Sequence, residues 1–127
     1  MSDTTTRGIR IQVESEYIEE RSEPRSGYFF FAYHIRISNV GTGIAQLVSR
    51  TWVITDGDGN VEHVQGPGVV GEFPRLEPGQ AFDYTSFCPL RTEHGVMEGS
   101  YTMRTVEGET FEARIAPFTL AVPGVIN

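Results

Sequence analysis

The run YFFFAYHIRIS, residues 28–38, decides the fold. With a period of two it sets Phe29, Phe31, Tyr33, Ile35 and Ile37 on one face, against His34, Arg36 and Ser38 on the other. Successive side chains of an extended strand point to opposite faces, so this alternation predicts a half-buried strand. The run also carries a surplus. Tyr28 and Phe30 oppose Phe29 and Phe31, so one set of rings is core, while the other packs under a loop or stands partly exposed. Exposed aromatic rings are characteristic interface anchors, and this is the strongest functional hint in the residues themselves.

The same period runs outward from there. RGIRIQVESEY places Ile9, Ile11 and Val13 on one face. IAQLVSRTWVIT, with the only tryptophan at Trp52, reads as a third strand, and the DGDGN turn leads into the short run VEHV. AFDYTSF reads as a strand ending at Cys88-Pro89, and SYTMRTV and TFEARIAPFTL flank a hairpin turn at Gly108. Helix is confined to a turn or two of EYIEERSE before Pro24. About seven short strands predict an all-β, antiparallel β-sandwich of fibronectin III or immunoglobulin type. Residues 1–127 are read as one domain, with an ordered core over roughly 8–122 and short flexible termini. A chain of this length buries roughly 65–70% of its unfolded surface without a metal or a disulfide.

Composition narrows the function. The lone Cys88 excludes an internal disulfide and fits a reducing compartment. No apolar segment follows the polar amino terminus, and YFFFAY falls short of the ~20 residues of a membrane helix, so a cytoplasmic protein without membrane contact is expected. Asp and Glu number 17 against 10 basic residues, every one of them arginine. Such a surface argues against nucleic acid as a partner. The absence of lysine removes a Walker-A or kinase lysine and Schiff-base chemistry.

GPGVVG, residues 66–71, satisfies the G-x-G-x-x-G spacing of phosphate loops. The Rossmann reading requires a helix directly afterwards, yet EFPRLEPGQ follows, with Pro74 and Pro78 imposing extended or turn backbone. Two readings survive. One is an anion nest for pyrophosphate or polyphosphate, built from the backbone of Gly66, Gly68, Val69, Val70 and Gly71 and assisted by Arg75 or Arg91. The other is a glycine-rich turn whose Val69 and Val70 tuck into the sandwich, and it carries more weight. DGDGN fails as a calcium loop, since Val61 and Pro67 stand where glycine and glutamate are required. His34, His63 and His94 lack metal-ligand spacing, and neither Cys88 nor Ser86 has a nucleophile's setting. No cofactor, metal or catalytic set is expected.

With these pieces placed, the chain resembles the bacterial ApaG family, also called CorD. The likeness rests on YIEERSEPRSGYFFFAYHIRISN (17–39), SRTWVITDGDG (49–59), GPGVVGEFPRLEPGQAFDYTSFCPL (66–90) and GVMEGSYTMRTVEGETFEARIAPFTL (95–120). It implies a fibronectin III-like sandwich, with the family's glycine loop falling on Gly66, Gly68 and Gly71. One departure is Phe87, which follows Ser86 where many relatives have glycine. Related domains in a eukaryotic F-box protein and a polymerase-delta-interacting protein imply a protein-interaction module. The resemblance also implies an association with diadenosine tetraphosphate metabolism, cobalt resistance and magnesium efflux. The expectation is a non-enzymatic binding module that takes a protein partner through a sheet edge and exposed aromatics, with polyphosphate binding as the alternative.

Overall fold

The computed structural model describes residues 1–124. The described residues form nine strands: β1 (Ser2–Thr6), β2 (Ile9–Tyr17), β3 (Phe29–Asn39), β4 (Ala45–Asp56), β5 (Val61–Pro67), β6 (Arg75–Leu76), β7 (Ala81–Leu90), β8 (His94–Thr105) and β9 (Thr110–Ala121). One antiparallel sheet runs β1-β2-β3-β7 and the other β5-β4-β8-β9, with the two-residue β6 also pairing with β4. Faced together they form the expected fibronectin III-like sandwich. EYIEERSE and its continuation supply only two 3-10 turns, Glu19–Arg21 and Pro24–Ser26.

The core is the set of residues that the period-two reading pointed inward. Ile9, Ile11 and Val13 of β2 and Phe31, Ile35 and Ile37 of β3 are almost wholly buried, opposite Leu47, Tyr101, Met103, Ile115 and Leu120. Trp52 packs edge-on against Tyr33, Tyr101 and Phe118. A register shift between Leu47 and Ser49 keeps Arg50 and Trp52 on the inner face of β4.

Three boundaries differ from the sequence reading. The first strand begins at Ser2, where the threonine-rich start pairs with β2 and Asp3 forms a two-pronged ion pair with Arg10. No apolar alternation announces that strand. β7 continues through Cys88 and Pro89 to Leu90, an extension a proline permits on an edge strand. β8 begins at His94, well before SYTMRTV.

Candidate functional site

The glycine stretch is a hairpin. Val69 N donates to Glu72 O at 2.9 Å and Glu72 N to Val69 O at 2.8 Å, while Val70 and Gly71 between them have φ of 44° and 80°. Positive φ at both central residues is the mark of a two-residue type I′ turn. Gly71 meets that demand without strain; Val70 is a β-branched residue in a region that costs ~1–2 kcal/mol. Val69 is buried as expected, but Val70 is 56% exposed, so the two valines do not both tuck into the sandwich. The turn geometry forces the difference: Val69 is on the paired leg, and Val70 is at the tip.

The polar groups of this segment point the wrong way for an anion nest. The amides of Gly68, Val69 and Glu72 donate to Val48 O, Glu72 O and Val69 O. Only the tip amides of Val70 and Gly71 lack an acceptor among the described residues. The carbonyls of Pro67 and Gly68, by contrast, both accept from Arg50 Nη1 at 2.9 Å. A Cβ on Gly66 would lie 2.8 Å from the same guanidinium, and one on Gly68, at φ 60°, would collide with Glu72 O. The first two glycines therefore cradle an arginine and close a turn.

Of the two predicted helper arginines, only Arg75 adjoins the hairpin in the strand register. Arg75 follows the hairpin on β6, beside Gln46. Arg91 lies at the far end of β4: Pro67 pairs with Ser49, whereas Gly57 N is held by Thr92 Oγ1. About eight residues of strand at ~3.3 Å each separate the glycine loop from Arg91 by roughly 25 Å. A pyrophosphate held on the loop would therefore lie far from Arg91. The cation of the glycine loop is Arg50. The sequence signalled it only faintly, through its inward parity with Trp52.

Arg50 sits where the two sheets part. β1 and β2 pack against β9 on one flank of the sandwich; on the other, β7 and β5 both end their sheets. On this open flank the inner faces hold the phenols of Tyr33, Tyr84 and Tyr101, with Tyr84 and Tyr101 hydrogen-bonded to each other. Burial raises all three pKa values, and the Arg50 charge opposes the rise. Burial, and secondarily Glu62, pushes the Cys88 thiol up to about 11, so it is protonated and poorly nucleophilic at neutral pH. His34, His63 and His94 stay apart, and no group of three metal-ligating side chains forms among the described residues.

The rings surplus to the core gather on the outer face of the first sheet, beside the free β7 edge. Phe30 is 6% exposed because it is sandwiched: Tyr28 stacks at 6.2 Å, Phe87 at 5.4 Å, and the Arg21 guanidinium lies 4.1 Å above its centroid. Phe87 and Tyr28 themselves are 49% and 40% exposed. Farther along the same face, Thr85 bonds His34 at 2.8 Å and Asp83 bonds Arg36 at 2.8 Å. The outer side chains of Asp83, Thr85 and Phe87 are thus braced by β3. The alternation in YFFFAY made the surplus visible; the β3–β7 register, which adds Phe87, was not.

Comparison with known proteins agrees with this architecture. A family model described as the ApaG domain matches residues 19–105. Protein ApaG of Anaeromyxobacter dehalogenans is 53% identical over 127 residues, the full length of both chains. Protein ApaG of Mesorhizobium japonicum is 49% identical over 124 residues, covering 98% of this chain and 95% of its own. The crystal structure of an ApaA protein from Bordetella pertussis matches with a TM-score of 0.89 at 46% identity, over 91% of this chain and 94% of that one. Its sequence, its strand order and the likeness of its relatives along the whole chain agree: the protein belongs to the ApaG family.

Proposed function

We propose that this protein is a non-enzymatic binding module that docks a protein partner on the outer face of its first sheet, at Tyr28, Phe30 and Phe87 beside the β7 edge. One observation carries the reading: half-exposed rings, stacked and held by Arg21, adjoin a strand edge that has no partner strand among the described residues. Large apolar rings immobilised at a surface lose little further freedom on binding, and such anchors dominate interface energetics. The non-enzymatic part is supported by the protonated, buried Cys88 and by the dispersal of the histidines. Polyphosphate binding ranks second, because the glycine loop turns carbonyls toward Arg50 and leaves only two amides without acceptors among the described residues.

The test is site-specific photo-crosslinking in cells, with the reactive side chain placed at Phe87 and, separately, at Arg104 on β8. A discrete adduct with another protein should form from position 87 alone and be abolished by Arg21→Ala with Tyr28→Ser. Equal labelling from both positions, or none from 87, would remove the aromatic face as the docking site.

A further inference from the structure

The backbone of β7 specifies how a partner meets this surface. Ile18 N bonds Phe30 O, so the even residues of β3 turn their backbone toward β2; Asn39 N bonds Gln80 O, so the odd ones turn toward β7. Backbone direction alternates along a strand. In the register Phe31–Cys88, Tyr33–Ser86, Ile35–Tyr84 and Ile37–Phe82, the even residues of β7 are those that bond β3. The N–H and C=O groups of Asp83, Thr85 and Phe87 therefore face the open edge, with no backbone partner among the described residues. Pro89, of the same parity, sits where its missing N–H breaks no ladder bond.

Resting on the protein-binding reading above, we infer that β7 takes one extended segment of a different protein as an added strand, with an apolar side chain on Phe87 and a carboxylate two residues away reaching Arg21. Side chains two apart on a strand share a face, so both would lie over the outer surface. Charge selects the carboxylate. Arg21 lies 4.1 Å and 5.5 Å from the Phe30 and Phe87 ring centroids and forms no ion pair among the described residues, whereas Arg36 is already paired with Asp83.

A second copy fits the edge poorly. An antiparallel β7–β7 pairing centred on Thr85 sets each Asp83 against a Phe87 ring and each Pro89 against Ala81, and it brings together two chains of formal net charge −7. The partner is accordingly a foreign strand with one local acid.

The probe is a capped decapeptide of alternating threonine and valine with a central phenylalanine and an aspartate two residues on. It is compared with the same peptide carrying lysine in place of the aspartate, each titrated into the full protein and followed by amide NMR. Amides of Asp83, Thr85 and Phe87 should move saturably while those of Phe82, Tyr84 and Ser86 move far less. The aspartate peptide should bind about fivefold tighter than the lysine one, a difference that Arg21→Gln erases. Thr85→Pro, which removes an outward N–H as Pro89 already does, should weaken binding roughly tenfold. Phe87→Ser serves should that variant fail to fold, and it too should weaken the aspartate peptide. Shifts at Tyr28 and Phe87 without the odd–even pattern would overturn strand addition while leaving the aromatic docking face standing. No shift at either peptide overturns the inference, and the crosslinking at position 87 then judges the broader reading alone. Concentration-dependent shifts of the odd amides without peptide would assign the edge to a second copy and also overturn it.

Discussion

The two flanks of this sandwich are built on different chemistry. Where β1 and β2 meet β9, the sheets are stitched across: Ser15 Oγ donates to Thr119 O at 2.7 Å and Arg114 N to Thr6 Oγ1 at 3.2 Å, with Arg7 paired to Glu109 and lying over Phe111. Behind those links, Ile9, Ile11, Val13 and Ile115 are at most 1% exposed. Where β7 faces β5, no strand among the described residues continues either sheet, and the interior is lined by phenols, a thiol and the Arg50 guanidinium. One flank is a sealed aliphatic core. The other keeps polar groups beneath two bare edges, with braced aromatics outside. Edges left bare in natural sheets are usually blunted, and Pro89 and the exposed Asp83 temper this one without covering it. The asymmetry is why stability and binding are assigned to opposite sides.

The largest expected effect lies on the closed flank. Ile115→Ala leaves a cavity between fully buried neighbours and should cost roughly 2–5 kcal/mol in urea unfolding, with peptide binding unchanged while the protein is folded. A loss below 1 kcal/mol would mean that flank is looser than described. Next come the glycines of the hairpin. Gly68→Ala needs both a positive φ and room that Glu72 O occupies, and should cost about 1–3 kcal/mol. Gly71→Ala meets open space at φ 80° and should cost only about 1 kcal/mol. Equal costs would show that backbone angle alone explains the motif.

A third effect follows from the polar interior of the open flank. The Cys88 thiol is raised from 9.0 to about 11, so the folded state holds its proton more tightly than the unfolded state. Its contribution is complete below pH 9 and is lost as pH rises through 11. The raised tyrosines act in the same direction at higher pH. Stability measured by urea should therefore fall through that window, and less steeply in Cys88→Ala. Parallel curves would contradict the burial. The smallest stability effect is the most informative for binding: Phe87→Ser, on the surface, should change unfolding free energy by no more than about 0.5–1 kcal/mol yet abolish crosslinking to a partner from a reactive side chain placed instead at Tyr28.

Much of this was legible before the fold was known, and the misses have physical causes. The period-two runs disclosed the sheets, the core residues on β2 and β3, and the surplus rings at Tyr28 and Phe30, because burial on one face writes itself into alternate positions. β1 was hidden because its threonines alternate nothing apolar. The hairpin at Val70 was hidden because a β-branched residue argues against the very φ it adopts. Arg50 and Phe87 join their sites through register, Arg50 across from Gly66 and Phe87 across from Ala32. Cross-strand register is a property of paired strands and cannot be read from either alone.

Native-state hydrogen exchange along β7 reports whether that edge is free in the protein alone, and so whether a partner strand has room to add. With the edge free, exchange is fast at Asp83, Thr85 and Phe87 and alternates with slow exchange at Phe82, Tyr84 and Ser86. Uniformly slow exchange along the strand would mean the edge is already covered, and the open flank would not be where a partner binds.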